Sequence, residues 1–287
     1  MSSNIIVLDL YNTLMKDSEC VRFMQWALPR LRMRWPGFRK VRGQVCKRIN
    51  RRISELRLND VECYREYLQV HQDEWIYLDS LCRISISRFY RDKGVFDCIG
   101  NKVLPALAQL TANSGNNTIK CWSAGSASGE EAYTIALVRQ FVLSLDYPDI
   151  GIHITGTEVD NNLLGRAERA CYPQSSVKDL PEKWLSQAFN RANKQYCLYP
   201  EFREKVNFIS QDIRLAAPDG PFHIVLCRNL AFTYFDISLQ KKVLGRIFDS
   251  LLNEGILVIG IHELLPGGIT YFRPWISNMG IYRKAFV

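Results

Sequence analysis

The chain has 287 residues, 47% of them hydrophobic and 23% charged, and a formal net charge of +8. That length allows one large domain or two smaller ones, and that apolar content excludes a disordered chain. The longest apolar runs, such as residues 255–261, fall far short of the roughly 20 residues of a membrane-spanning helix. The first residues, MSSN, lack the basic start of a secretory signal. A cytoplasmic protein without a membrane span is therefore expected.

Residues 1–104 are mostly helical in pattern and hold no clear strand series. Between residues 30 and 57 there are eleven Lys or Arg and one acid, Glu55, so the rest of the chain is slightly acidic. Within that segment Val41, Val45, Ile49, Ile53 and Leu56 recur at three- and four-residue spacing. This predicts an amphipathic helix over about 39–57 with a basic outer face. Such a face is either solvated or docks an acidic partner. Asn59-Asp60 reads as a helix stop and a new N-cap, followed by helices over 61–68 and 75–82.

After Pro105, strands alternate with helices. Strands are expected at 119–124, 152–159, 206–210, 222–227, 256–261 and 281–286, and helices at 130–145, 162–171 and 239–252. This alternation implies an α/β fold with a mostly parallel sheet covered on both faces. Residues 173–205 interrupt it as a small insertion. The nine cysteines are odd in number, widely spaced and without a CxxC pair. They argue against both a disulfide framework and a zinc site, so no metal is expected and a reducing cytosol fits. Cys121 and Cys227 read as buried strand residues.

The segment WSAGSASGEEAYTIAL, residues 122–137, carries the most information. It reads as a strand, a loop bearing Gly125 and Gly129, and a helix with Ala132, Ile135, Ala136 and Leu137 on its buried face. Glycines at such a turn let the backbone bend sharply and let a ligand come close. Ser128 is placed as an N-cap, with Glu131 three residues on as in a capping box. A second signal is the acid at the end of the next strand, Glu158. In adenosine-binding sheets a carboxylate there accepts hydrogen bonds from ribose hydroxyls. No phosphate-loop signature is present.

This segment resembles the S-adenosylmethionine loop of the CheR-type chemoreceptor methyltransferases, whose pattern is close to WSAGCSTGEEPYSIA. Here Ser126 stands for Cys, Ser128 for Thr, Ala132 for Pro and Thr134 for Ser. Further segments fit the same family in the same order over residues 38–287. The resemblance implies a Rossmann-like class I methyltransferase domain over 105–287 with a small inserted subdomain. An all-helical lobe over 1–104 would precede it. It implies S-adenosylmethionine as cofactor, with Gly125 and Glu130 meeting it. Glu158 stands where the family has Asp. In VNFISQDIR, residues 206–214, Asp212 and Ile213 occupy the places that flank the adenine. FHIVLCRNLAFTYFD, residues 222–236, is similar to the family's DxIFCRNVMIYFD. It places Arg228 and Asn229 at the cofactor's methionine end and Tyr234 facing the transferred methyl group. Four residues, 230–233, precede Tyr234 where the family has three. SISRFYR, residues 85–91, is similar to NxTxFFR and brings Ser85, Ser87 and Arg91 over the cofactor.

The family activity is methyl transfer to glutamate carboxylates of a protein, with Arg91 and Tyr234 as catalytic residues. The basic helix matches the place where the family docks its receptor, through Arg39, Lys40, Arg42, Lys47, Arg48, Arg51 and Arg52. The departures leave two alternatives. One is a methyltransferase for a small carboxylic acid or another acceptor outside chemotaxis. The other is a non-catalytic cofactor-binding protein that docks a partner. Aromatics are not interleaved with the basic residues and no amino-methylation motif is present, so nucleic acid is not expected as a partner. IIVLDLYNTLM, residues 5–15, is similar to the first motif of haloacid dehalogenase-type hydrolases, with Asp9 as nucleophile. The later motifs of that family are not found. His262-Glu263 is not HExxH, because Pro266 takes the second histidine's place, and His262 is read as structural.

Overall fold

The computed structural model describes residues 15–285. Asp9 and its motif, and the end of the last expected strand, lie outside the described residues. The chain forms two compact units that meet in sequence at Ile84 and Ser85.

The first unit is helical. It comprises α1 (Asp17–Ala27), α2 (Trp35–Phe38), α3 (Arg42–Glu55), α4 (Val61–Val70) and α5 (Glu74–Leu81). The expected basic helix is α3. Its Val45, Ile49 and Ile53 are buried, while Val41 and Leu56 are half-buried at its ends. Asp60 caps α4 by accepting from the Cys63 N–H at 2.8 Å. Not all of the basic face is free. Arg42 bonds Asp17 at 2.8 Å, Arg48 donates to the Leu81 and Arg83 carbonyls, and Arg52 meets Glu74 at 2.7 Å. Lys40, Lys47 and Arg51 stay exposed along α3 and its approach.

The second unit starts at Ser85, ahead of the boundary at 104 that the onset of alternation suggests. The reason is packing. Phe89, Tyr90, Val95, Phe96, Ile99 and Val103 share one buried core with the sheet residues Ile119, Cys121 and Ile154. The unit runs α6 (Lys93–Cys98), a π turn (Ile99–Val103), α7 (Leu104–Asn113), β1 (Thr118–Ala124), α8 (Glu130–Phe141), β2 (Gly151–Glu158) and α9 (Asn161–Arg169). The insertion follows as β3 (Cys171–Pro173), α10 (Gln174–Val177), α11 (Glu182–Ala188), β4 (Phe189–Ala192), β5 (Gln195–Leu198) and α12 (Pro200–Arg203). The chain then returns to β6 (Val206–Ser210), β7 (Phe222–Cys227), α13 (Ala231–Tyr234), α14 (Ile237–Ser250), β8 (Leu251–Ile259), β9 (Phe272–Ile276) and β10 (Ile281–Lys284).

The main sheet has the order β6-β2-β1-β7-β8-β10-β9. The first five strands are parallel and the last two antiparallel. This is the expected Rossmann-like α/β architecture, and the strand order reverses beside β1, where such sheets hold ligands. β9 was not expected. It carries Pro274 at the sheet edge, where a missing N–H is tolerated and the strand signal is weak.

The cysteine reading is corrected. Disulfides join Cys20 of α1 to Cys46 of α3 and Cys171 of β3 to Cys197 of β5. In the second pair the two residues are direct antiparallel partners. Spacing along the chain does not reveal such a pairing, which is made by register and helix packing. No described helix is long and apolar enough to cross a membrane.

Glu74 joins the helices of the first unit. It is buried and accepts from Arg52 and from the Tyr64 hydroxyl at 2.8 Å. Burial raises its carboxyl, but the hydrogen bonds from Arg52 and Tyr64 outweigh burial and hold it below its ordinary value of 4.5. A carboxyl depressed in the fold stabilises it above the unfolded pKa, and that share is lost as pH falls through the folded value. Glu74→Ala is expected to cost roughly 2–3 kcal/mol at pH 7 in urea unfolding, with a smaller cost below about pH 4. A cost independent of pH would show that the carboxylate's charge is not what matters.

Candidate functional site

The site lies at the carboxyl ends of β1, β2 and β7. After β1 the chain turns through Gly125, Ala127 and Gly129, all left-handed at φ 72°, 48° and 89°. The Gly125 and Ser126 N–H groups donate to the Thr157 carbonyl of β2 at 2.8 and 2.9 Å. A Cβ at Gly129 would lie 2.9 Å from the Phe208 ring and 3.0 Å from Ala167. Glycine is thus required there by both space and φ.

The expected capping box is not formed. Gly129 is the N-cap of α8 and has no side chain to cap with. Ser128 lies one residue further out, and its hydroxyl bonds both oxygens of the Glu130 carboxylate at 3.0 and 2.9 Å. Glu131 turns to the sheet instead. It accepts from Ser123 Oγ at 2.8 Å and pairs with Arg228 at 3.1 Å.

Glu158 is brought against the glycine loop. Its Oε2 accepts from the Ala127 N–H at 3.0 Å, and its Oε1 from the Val159 and Asp160 N–H groups at 2.8 and 3.1 Å. A carboxylate offers about four lone-pair sites, so acceptor capacity remains for a ligand hydroxyl. Asp160 caps α9.

Asp212 is engaged by its neighbour. Its carboxylate binds the Arg214 guanidinium, at 2.7 Å to Nη2, and the Arg214 N–H at 2.8 Å. Ile213 is buried in the core around Trp122 and Phe235.

Arg228 is 3% exposed in its side chain. It pairs with Asp92 at 2.6 Å and with Glu131, donates to the Arg91 carbonyl at 3.3 Å, and lies over the Phe96 ring at 5.0 Å. Its two ion pairs are internal. They staple the segment that carries Arg91 to the end of β7. In that segment Tyr90 and Asp92 are left-handed at φ 56° and 61°. The Phe89 N–H donates to the Ser176 carbonyl and the Tyr90 N–H to Thr134 Oγ1. Arg91 is half-buried and bonds the Ile86 carbonyl at 2.6 Å. Ser85 is exposed and Ser87 half-buried.

Asn229 follows in the left-handed region at φ 55°. The extra residue before Tyr234 is taken up by α13, a single helical turn in which Tyr234 N–H bonds the Leu230 carbonyl at 3.0 Å. Burial raises the Tyr234 phenol above 10, while the nearby charge of Arg91 lowers it and that of Glu263 raises it.

Two acids were not singled out by the sequence reading. Asp92 gave no signal. Glu263 was met only as the residue after His262 in a segment that is not HExxH. The neighbouring His262, read as structural, is exposed, and Glu263 is the buried member of the pair.

These residues fit S-adenosylmethionine. Glu130 is 1% exposed, and both oxygens of its carboxylate are hydrogen-bonded by the Ser128 hydroxyl, with no ion pair among the described residues. Such a carboxylate complements a cationic ligand. Glu158 retains acceptor capacity toward a diol.

Residues 85–280 match the family described as "CheR methyltransferase, SAM binding domain". Among curated relatives, an uncharacterized 104.1 kDa protein of Rhodobacter capsulatus is 30% identical over 226 residues, 78% of this chain and 23% of that protein. A chemotaxis protein methyltransferase of Borreliella burgdorferi is 28% identical over 192 residues, 65% of this chain and 67% of that protein. Among solved structures, the N-methyltransferase NodS of Bradyrhizobium japonicum, in complex with S-adenosylhomocysteine, is 14% identical. It covers 54% of this chain and 58% of that one, with a TM-score of 0.30.

Arg228→Met should remove both ion pairs and leave Asp92 and Glu131 without their cation. A loss of about 3–5 kcal/mol in chemical denaturation is expected. A loss under about 1 kcal/mol would mean that the staple is dispensable to the fold.

Proposed function

Because this chain belongs to the CheR methyltransferase family, with its S-adenosylmethionine-binding domain over residues 85–280, we propose that it methylates glutamate carboxylates of a protein. The observation that carries the reading is the placement of Arg91 and Tyr234: Arg228 ties the segment that bears Arg91 to the end of β7, and Tyr234 lies in the helical turn that follows β7. Both residues stand at the sheet edge that holds the glycine loop and Glu158. The name of the Borreliella relative directs the choice of acceptor to a protein of chemotaxis.

S-adenosylmethionine supplies an electrophilic methyl group on a sulfonium. A carboxylate acceptor is ionised near neutral pH and needs no general base. It needs placement in line, which the Arg91 guanidinium provides by holding its oxygens. Tyr234 keeps its proton throughout the neutral range, because burial raises it, and so serves as a hydrogen-bond donor beside the reacting methyl. An anion and a cation become neutral products, so shielding from water favours the step. Glu130 faces the cofactor's cationic end and Glu158 its ribose. Asp212 and Ile213 border the adenine through their backbone and the Arg214 pair.

Docking of the acidic acceptor protein belongs to α3 and its approach. Within the basic set, Arg39, Lys40, Lys47 and Arg51 are exposed, whereas Arg42, Arg48 and Arg52 hold the helical unit together. A cytoplasmic location goes with this reading, although the paired cysteines withdraw the support the sequence drew from them.

Calorimetry with S-adenosylhomocysteine should show binding that Glu158→Ala weakens about tenfold. Unchanged affinity would remove Glu158 from the ribose site. Transfer of labelled methyl groups to membranes bearing chemoreceptors should give label that mild base releases as methanol. Tyr234→Phe should lower that turnover about 100-fold. Label that resists base, or binding without any transfer, would overturn the carboxylate reading.

A further inference from the structure

Glu263 has no role in the scheme above, yet it holds three segments of the site at once. It is 7% exposed, in the loop after β8. Its Oε2 accepts from the Asn229 N–H at 2.9 Å and from the Gly260 N–H at 2.7 Å. Its Oε1 accepts from the Thr233 hydroxyl at 2.6 Å. One carboxylate therefore fixes the end of β8, the residue after Arg228 and the residue before Tyr234.

Each of these positions needs fixing. Asn229 is left-handed, a conformation that persists in a non-glycine residue only when its surroundings impose it. Residues 230–233, which enter the α13 turn, number one more than in the resembling family pattern, so the direction of Tyr234 depends on how that turn is held. Gly260 lets the three groups converge. A Cβ there would stand 2.7 Å from Asn229 Oδ1 and 2.9 Å from Glu263 Oε2. The charge of Glu263 also reaches the Tyr234 phenol.

We propose that Glu263 is a positioning residue. Through Asn229 and Thr233 it sets the wall of the site that meets the amino-acid end of the cofactor and the transferred methyl group. The proposal rests on the S-adenosylmethionine reading and deepens it. Glu263 acts on the cofactor only through Asn229 and Thr233, two of the three residues it holds. Its effect should therefore fall on the amino-acid end and spare the nucleoside end, which Glu158 and the glycine loop serve.

Two ligands separate these ends. S-adenosylhomocysteine carries both, and 5′-methylthioadenosine lacks the amino-acid end. Calorimetry of the full chain is run with each ligand on the wild type, Glu263→Gln and Thr233→Val. Glutamine keeps the size and one acceptor oxygen but loses the charge and the second acceptor. Glu263→Gln should weaken S-adenosylhomocysteine about tenfold and change 5′-methylthioadenosine by no more than about twofold. Thr233→Val, which deletes one of the three bonds, should act in the same sense by about threefold. Equal losses for the two ligands would mark a structural role and overturn the proposal, as would no loss for either. If Glu263→Gln fails to fold by circular dichroism, Thr233→Val decides by the same ratio. A wild type that binds neither ligand defeats the cofactor reading itself, a result distinct from failure of the Glu263 role.

Discussion

The frame of this site depends on a buried guanidinium. Arg228 emerges at the end of β7 and is almost wholly removed from water. A charge there is tolerable only if it is paired and hydrogen-bonded. Asp92, just ahead of α6, and Glu131, in the first turn of α8, meet that demand together, and the Phe96 ring covers the remaining side. The Arg228 Nε has no hydrogen-bond partner among the described residues. Three elements far apart in the chain are thereby brought to one point, and Arg91 is delivered with them.

Backbone conformation carries the same logic. Tyr90, Asp92, Ala127 and Asn229 are non-glycine residues in the left-handed region, and all lie along this edge. Each is disfavoured locally and is held by partners from elsewhere. Tyr90 is held by Thr134, Asp92 by Arg228, Ala127 by Glu158 and Asn229 by Glu263. Strain gathered at one place and secured by long-range bonds is common at functional sites.

The alternating helices and strands, the glycine loop, the end-of-strand acid and the α4 cap were legible because each is a local pattern of hydrophobic period or turn chemistry. β9 was missed because a proline on an edge strand weakens that pattern. The capping box misled because Gly129 could take a left-handed φ. That moved the cap one residue and left Ser128 and Glu131 with other partners. The disulfides were illegible because they depend on which strands and helices lie side by side.

The sequence by itself determined the alternating strands and helices of the main sheet, its parallel α/β architecture and the chemical types at the glycine loop and strand ends. Periodicity and residue chemistry are properties of short stretches. Only the tertiary structure decided how those side chains are spent. It assigned Arg228 to Asp92 and Glu131, Asp212 to Arg214, and half of the basic helix to its own unit. It also made Glu263, to which the sequence reading gave no role, a shared anchor. The physical reason is that a charged group is satisfied by whatever opposite charge or donor folding brings within about 3 Å, and neighbours in space are not written in the order of the chain.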